Sequence, residues 1–431
     1  LEQMFQDDLA GEKGEVLVRQ DAHEGIRSRR YRVEPVDGSD VVTTIDLRIQ
    51  SILETELQAA LRDSRAVAAQ GIVLQVESGE VLGLAQAPLK TPSADCVSGG
   101  DPWRVMAAAD EFEPGSVFKI FSLATLLSES VVDTATVYDG MGRPGERRSS
   151  HTFENGRTIR DVHPVGLVSL RHAFVTSSNI VFARAVEERL RSVEMYDAIR
   201  RFGFLEKPGC GFAAETDGRL LRREDWTSYM MPSLAMGQSI GVTLLQLAAA
   251  SAAVFGDGSL RTPLFVRELR PASGDPQRLE AVVRRRNVVP PRVIETMRAV
   301  AREAVHEEYG TGTNARVDGL SIAGKTGTAQ VSSSSGYLRS IYSPSFVGAV
   351  PAEDPRFIVA IVLHGAPGEE TYGGNTAGPC FANVVQGIAA RTQWLEGAFE
   401  VVTIERSETI SAPALTGRSM DEVRELAADG D

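Results

Sequence analysis

The chain of 431 residues has few of the features that metal, disulfide, membrane or nucleic-acid chemistry requires. Its three cysteines lie far apart, and neither they nor its six histidines show zinc-site spacing, so we expect no metal, no cofactor and no disulfide framework. No apolar run reaches the roughly 18 residues of a membrane-spanning helix. The net charge of −13 argues against nucleic-acid binding, for which a basic surface is needed.

Lysine is scarce as well. Lysine and arginine together number 45, but lysine occurs at only five positions, Lys13, Lys90, Lys119, Lys207 and Lys325. Arginine supplies a fixed positive charge, whereas lysine can lose its proton when it is buried and then act as a base. A chain that uses arginine for most of its positive charge is therefore expected to keep lysine where this chemistry is needed.

The order of strand and helix patterns predicts an α+β fold. Short apolar runs typical of strands lie near both ends, at 71–76, 81–85, 319–324, 329–331, 345–351 and 357–364. Helical spacing follows Asp46, a good N-cap, and recurs at 168–190 (broken at 176–179), 242–255, 291–309 and 381–395. We therefore predict one antiparallel sheet, formed by the two ends of residues 43–396 and flanked by helices.

One lysine stands three residues after a serine at a predicted helix start. In residues 113–119 (EPGSVFK), Pro-Gly signals a turn and the apolar run after it has helical spacing. Residues three apart share a helix face, so the Lys119 amine is expected beside the Ser116 hydroxyl. Such a pair is a nucleophile with a possible base, although Ser-x-x-Lys alone more often contains only a solvated lysine.

Two other polar motifs follow along the chain. Residues 177–179 (SSN) alone predict a helix cap or turn. Residues 324–328 (GKTGT) alone predict a weakened edge strand, because the phosphate-loop pattern is not matched. Together, Ser-x-x-Lys, Ser-x-Asn and Lys-Thr-Gly in this order are the motif set of penicillin-binding proteins and serine β-lactamases.

Over about residues 40–396, the chain resembles the transpeptidase domain of class B penicillin-binding proteins of the division or sporulation type. Besides the three motifs, the similar stretches are 43–50 (TTIDLRIQ), 113–116 (EPGS), 235–243 (AMGQSIGVT) and 372–374 (YGG). The resemblance implies the fold shared by penicillin-binding proteins and β-lactamases, in which helices flank an antiparallel sheet.

The resemblance also implies three parts of the chain. Residues 1–42 resemble the end of the N-terminal pedestal of this family, and residues 43–396 resemble its transpeptidase domain. Residues 397–431 are expected to hold a linker and part of a PASTA module, which the stretch 412–423 resembles.

The function implied by the resemblance is that of a peptidoglycan D,D-transpeptidase, which cross-links stem peptides ending in D-Ala-D-Ala through a serine acyl-enzyme and is acylated by β-lactams. The catalytic residues implied are Ser116, Lys119, Ser177, Asn179 and Lys325. The substrate-binding residues implied are Thr326, Gly327 and Thr328. The backbone N–H groups of Ser116 and Thr328 are expected to form the oxyanion hole.

Each catalytic residue has an expected role. Deprotonated Lys119 takes the proton of Ser116, Ser177 relays a proton to the leaving group, and Asn179 orients the substrate amide and Lys119. Lys325 binds the substrate carboxylate, and its positive charge is expected to hold Lys119 neutral by repulsion.

Partners and location are likewise implied by the family. We expect a membrane glycosyltransferase and divisome or elongasome proteins as partners. The expected location is the extracytoplasmic face of the bacterial cytoplasmic membrane, with an anchoring N-terminal helix that is absent from this chain. The alternatives are a β-lactam-hydrolysing or -sensing serine enzyme, a D,D-carboxypeptidase, and a cell-wall-binding scaffold with an inactive domain.

Overall fold

Helices and strands are interspersed along the residues that the structure, a computed structural model, describes: 2–20, 26–88, 104–142, 149–154, 156–333, 336–368 and 371–399. The helices are α1 (Gln6–Leu9), α2 (Leu47–Ser64), α3 (Met106–Ala109), α4 (Lys119–Ser128), α5 (Leu170–Val175), α6 (Asn179–Arg189), α7 (Ser192–Arg201), α8 (Met230–Ala235), α9 (Leu244–Phe255), α10 (Pro291–His306) and α11 (Ala377–Arg391). The strands are β1 (Glu15–Gln20), β2 (Ile26–Val33), β3 (Asp40–Thr43), β4 (Ala68–Gln75), β5 (Val81–Ala87), β6 (Val137–Asp139), β7 (Ser149–Thr152), β8 (Thr158–Asp161), β9 (Leu167–Ser169), β10 (Leu260–Arg261), β11 (Val266–Arg270), β12 (Gln277–Arg278), β13 (Val283–Arg285), β14 (Ala323–Ser333), β15 (Gly336–Val350), β16 (Phe357–His364) and β17 (Ala366–Pro367).

The central sheet is antiparallel and joins the two ends of the domain. Its strand order is β14-β15-β16-β4-β5, with β17 paired to β15. Strands β4 and β5, which contain the predicted runs 71–76 and 81–85, pair as an antiparallel hairpin. Strand β16 pairs with β4 from Phe357 opposite Gln75 to His364 opposite Ala68. The prediction of one antiparallel sheet built from both ends of the domain is confirmed.

Two apolar clusters pack against opposite faces of this sheet. Ile72 and Leu74 of β4 belong to the cluster that contains α4, α9 and α10, whereas Val73 belongs to the cluster with α2 and α11. This division follows from the alternation of side chains along a strand. Helix α4 is buried from Lys119 to Leu127. Lys119, its first residue, therefore lies beside the apolar cluster that contains α4, α9 and α10.

Aromatic side chains hold the start of α4 in that core. The rings of Phe118 and Phe121 lie 5.5 and 5.0 Å from the ring of Phe204, measured between centroids. Burial of each such side chain contributes about 1.5–3 kcal/mol to stability. The turn that precedes α4 is therefore anchored by its neighbouring apolar residues.

Several element boundaries differ from the predictions. The predicted strands 319–324 and 329–331 are replaced by the single strand β14, because its glycines remain extended instead of ending it. The predicted helix 291–309 ends at His306, and the last helix ends at Arg391. Among the helices of the ranges given above, none is both long and apolar enough to cross a bilayer.

The N-terminal residues, which the sequence resemblance assigns to the end of a pedestal, form the hairpin β1–β2 and the strand β3, which pairs with β11. The PASTA-like stretch 412–423 lies outside the described residues. The division into 1–42, 43–396 and 397–431 stays a prediction.

Replacing Asp46 with alanine is expected to destabilise the fold modestly. The Asp46 carboxylate accepts hydrogen bonds from the backbone N–H of Arg48 (2.9 Å) and from Trp394 Nε1 (3.2 Å), so it caps α2 and ties it to the segment after α11. Loss of an N-cap costs about 0.5–2 kcal/mol in the free energy of unfolding. Urea denaturation at pH 7 measures this loss, with Asp63→Ala on the last turn of α2 as the exposed control.

The contribution of Asp46 should depend on pH. The side-chain hydrogen bond from Arg48 is the main cause that lowers the pKa of Asp46 to about 2. Because the pKa is lower in the folded state, this stabilisation is present above about pH 4 and is lost as the pH falls through about 2. A difference between wild type and Asp46→Ala that stays constant from pH 6 to pH 2 would contradict this account.

Candidate active site

Ser116 lies in a 3-10 turn, Gly115–Phe118, that leads directly into α4. The sequence predicts a helical first turn, and the structure makes it 3-10 rather than α. Gly115 has a φ of +55°, and a Cβ at this position would lie 3.0 Å from the Thr328 carbonyl oxygen. Its N–H donates to the Gly237 carbonyl at 3.1 Å. The turn therefore lies between β14 and the turn at Gly237, where only glycine suits both the backbone angle and the close approach.

The Lys119 amine is fully buried and donates to the turn that carries the Ser-x-Asn motif. Its Nζ lies 2.6 Å from the Ser177 carbonyl oxygen, 2.8 Å from Asn179 Oδ1 and 3.3 Å from Ser177 Oγ. Within the described ranges, none of its hydrogen bonds goes to Ser116. Burial lowers the pKa of Lys119 to about 7, against the opposing effect of Asp161. An amine with this pKa can accept a proton near neutral pH.

The Ser-x-Asn motif forms the break between α5 and α6 that the sequence predicts. Ser177 adopts a left-handed φ of 62°, and Ser178 caps α6 by accepting a hydrogen bond from the backbone N–H of Val181 at 3.2 Å. Left-handed backbone at a residue other than glycine is uncommon and is concentrated at functional sites. The conformation directs the carbonyl of Ser177 to the Lys119 amine.

Lys325 is the second fully buried lysine. Its Nζ lies 3.3 Å from both the carbonyl oxygen and Oγ1 of Thr326, and 3.5 Å from Thr311 Oγ1. Burial lowers the pKa of Lys325 well below its ordinary value, and the positive charge of Lys119 lowers it further. We expected repulsion from Lys325 to be the cause of a low pKa at Lys119. That expectation was wrong, because burial is the first cause for both amines.

Strand β14 is an edge strand that presents backbone groups to the turn of Ser116. Thr328 pairs with Pro344 of β15. Proline has no N–H, so this pair cannot exchange two hydrogen bonds. The Thr328 carbonyl instead approaches Gly115, and the N–H of a strand residue points to the same side as its carbonyl. We therefore expect the Thr328 N–H to face the turn of Ser116.

A cleft of about 530 Å³ brings these groups together. Its walls include six of the eight predicted site residues: Ser116, Ser177, Asn179, Thr326, Gly327 and Thr328. The other two, Lys119 and Lys325, are fully buried and make contact with residues of these walls. A larger cavity, of about 950 Å³, is lined by none of the eight and contains Asp46, Arg48 and Trp394.

The sequence motifs do not include Asp161, which ends β8 and lies in the cleft wall. Its carboxylate accepts hydrogen bonds from Ser178 Oγ (2.5 Å), the backbone N–H of Asn179 (2.5 Å) and that of Ile180 (3.3 Å). Burial raises the pKa of Asp161, while these hydrogen bonds and the Lys119 charge oppose the rise. No spacing marks this residue, because its contact depends on how the β7–β8 hairpin packs on α6.

Two further sets of polar contacts in this region involve residues that lie outside the three motifs. The hydroxyl of Thr311 accepts a hydrogen bond from Thr326 Oγ1 at 2.9 Å, next to Lys325 Nζ. Glu113 accepts hydrogen bonds from the Ser239 N–H at 2.9 Å and from the Tyr337 hydroxyl at 3.1 Å. Glu113 thereby joins the turn that carries Ser116 to the outer part of β15.

The chain is similar in sequence to known proteins. Residues 70–386 match the family model described as the penicillin binding protein transpeptidase domain. The chain is similar to stage V sporulation protein D of Bacillus subtilis, with 29% identity across 99% of this chain and 66% of the relative. It is also similar to the probable peptidoglycan D,D-transpeptidase PenA of Neisseria meningitidis, with 30% identity across 90% and 63%. The chain thus spans less than two thirds of the length of either relative.

The fold is likewise similar to that of solved structures. Penicillin-binding protein 3 of Mycobacterium tuberculosis, complexed with ampicillin, superposes with a TM-score of 0.74. The two chains are 27% identical, and the match covers 86% of this chain and 82% of the other. The architecture of flanked antiparallel sheet is therefore shared with a chain that binds a β-lactam.

Proposed function

Since the chain belongs to the penicillin-binding protein transpeptidase family, we propose that it cross-links peptidoglycan stem peptides through an acyl-enzyme on Ser116. The observation that carries this proposal is the convergence of three distant motifs on one cleft, with a buried lysine of depressed pKa beside them. A serine nucleophile, a proton acceptor and an anion-binding strand are what acyl transfer from a peptide ending in a free carboxylate requires.

In the proposed acylation step, the neutral Lys119 amine removes the proton of Ser116 while Oγ attacks the penultimate D-alanine carbonyl. The oxyanion that forms accepts hydrogen bonds from the backbone N–H groups of Ser116 and Thr328, each worth about 3 kcal/mol in the transition state. The C–N bond then breaks, and the proton from Lys119 reaches the departing D-alanine amine through Ser177. Asn179 orients the substrate amide and Lys119.

Lys325 has a proposed role that depends on substrate. A carboxylate placed against Lys325, Thr326 and Thr328 would raise the pKa of Lys325, because an opposite charge favours the protonated amine. The charged amine would then hold the carboxylate and lower the pKa of Lys119. Gly327, between the two threonines in the cleft wall, is proposed to contact the substrate backbone.

The acyl-enzyme is proposed to pass its acyl group to the amine of a second stem peptide. The amine attacks the ester carbonyl and gives up one proton to Lys119, the bond between the acyl carbon and Ser116 Oγ breaks, and Lys119 passes that proton to the serine oxygen. The division into pedestal remnant, transpeptidase domain and PASTA-like segment belongs to the same proposal. So does its location outside the cytoplasmic membrane, beside a glycosyltransferase and divisome or elongasome proteins.

The proposal is tested by incubating the protein with a penicillin and following its intact mass over time. We expect one adduct per chain, located by proteolytic digestion on the peptide that contains Ser116, with slow loss. Rapid loss together with hydrolysed drug would indicate a β-lactamase instead. A folded protein that forms no adduct would contradict the proposal.

A second assay separates transfer from hydrolysis. A peptide ending in D-Ala-D-Ala is supplied with an acceptor peptide that bears a free amine, and both products are separated by chromatography. We expect the cross-linked product to exceed the hydrolysed one. Hydrolysis alone at saturating acceptor would favour a D,D-carboxypeptidase.

A further inference from the structure

Asp161 lies beneath the Ser-x-Asn turn and is almost completely buried, with 3% of its surface exposed. Its Oδ2 accepts from Ser178 Oγ, and its Oδ1 accepts from the backbone N–H groups of Asn179 and Ile180. These two N–H groups open α6 and have no partner within the helix. One carboxylate therefore satisfies donors from three successive residues.

The same turn supplies the acceptors of the Lys119 amine. The Ser177 carbonyl and the Asn179 side chain hold Nζ at 2.6 and 2.8 Å. Because Ser177 is held at a φ of 62°, its carbonyl depends on the neighbouring residues being fixed. The contacts thus run from the Asp161 carboxylate through residues 178–180 to the amine.

From this geometry we propose that Asp161 is a positioning residue for Lys119. Its hydrogen bonds set the turn that orients the amine, and its negative charge keeps the buried amine basic enough to accept the serine proton. The inference rests on the proposed function, since it assigns Asp161 a part in acylation of Ser116.

The groups around Lys119 determine in which direction its pKa moves when the Asp161 charge is removed. Asp161 on β8 raises the pKa of Lys119, and burial lowers it. Lys325 on β14 is the other buried amine of the site, while Arg160 and His163 lie in the cleft wall. The Phe182 ring of α6, whose centroid is 5.5 Å from Nζ, and the acceptors from Ser177 and Asn179 complete the surroundings.

The variant Asp161→Asn separates charge from shape. Asparagine can accept from the N–H groups of Asn179 and Ile180 and donate to Ser178 Oγ, so the turn is retained while the charge is lost. Acylation needs the neutral amine, so its rate should rise with pH through a midpoint near the pKa of Lys119. Without the Asp161 charge that pKa falls, and the midpoint should move to lower pH by about 1 unit.

The measurement is the second-order rate of penicillin acylation from pH 5 to 9, with circular dichroism as the test of folding. Asp161→Glu, which keeps the charge, should restore the wild-type midpoint. Asp139→Asn, at an exposed carboxylate that ends β6, should not move it. If wild type forms no adduct, the proposed function fails; if wild type is acylated and Asp161→Asn keeps its midpoint, this inference is overturned.

The variant Ser178→Ala tests the part of the proposal in which hydrogen bonds to Asp161 set the turn. It can be measured even if Asp161→Asn does not fold. It removes one hydrogen bond to Asp161 together with the side-chain cap of α6, and it leaves the charge in place. We expect the acylation rate to fall by about 10–150-fold at every pH, as for the loss of a hydrogen bond to a charged group, with the midpoint unchanged. An unchanged rate in a folded Ser178→Ala variant would overturn the role of the turn.

Discussion

Replacing Lys119 with methionine is expected to lower the rate of penicillin acylation at Ser116 by about 10²–10⁴-fold, the usual contribution of a general base. Methionine has a similar length and suits a fully buried position beside the Phe182 ring. It cannot accept a proton, and it gives up the hydrogen bonds to Ser177 and Asn179. The fold should survive, because removing a buried amine also removes its desolvation cost.

The rate constant is measured from the growth of the adduct mass, with the melting temperature as a check on folding. Lys207→Met makes the same chemical change at an exposed lysine and should leave the rate unaltered. A folded Lys119→Met protein that is acylated within a few-fold of the wild-type rate would show that another group removes the serine proton.

Replacing Gly327 with alanine is expected to lower the acylation rate by about 10²–10³-fold, as for the loss of one oxyanion donor. A Cβ at Gly327 would collide with the Ser345 hydroxyl and lie 2.8 Å from both the Pro114 carbonyl oxygen and Val117 Cγ2. Strand β14 would have to move away from the turn that carries Ser116. The Thr328 N–H would move with it.

A moderate loss of stability, of about 1–3 kcal/mol, should accompany the loss of rate, because the crowding lies in a packed region. Gly378→Ala in α11 is the matched control, since a Cβ there would meet its nearest neighbour at an ordinary 3.5 Å. The control should keep both rate and stability. If Gly327→Ala were acylated at the wild-type rate, the close approach of β14 to the turn would not matter for catalysis.

Sequence pattern was sufficient where local chemistry decides the structure. The carboxylate of Asp46 and the helical spacing after it predict α2, and the capped helix is observed. Three motifs with a fixed order predict a shared site, and their residues do meet in one cleft. The break at residues 176–179 was also predictable, since four polar residues interrupt an apolar pattern.

The sequence pattern did not predict features that depend on contacts between distant segments of the chain. Gly324 and Gly327 suggest a broken strand, yet each is glycine because side chains of β15, Phe346 and Ser345, occupy the space of a Cβ. Asp161 has no signature, since its partners lie 17–19 residues away on another element. Repulsion from Lys325 was likewise wrongly expected as a cause of the low pKa of Lys119, which follows instead from burial among residues of distant segments.

The pairing of β16 with β4 has a bearing on how the protein reaches its native state. Gln70 and His364, which contact each other across this pair, are separated by 294 positions in the chain. Closing a loop of that size costs about 5 kcal/mol of chain entropy before any contact compensates it, and such non-local topologies fold slowly. The turn that carries Ser116 is synthesised long before β14, so it acquires its neighbour Thr328 only after almost the whole domain has emerged. A truncated or unfinished chain is therefore expected to lack the cleft and to form no adduct with penicillin.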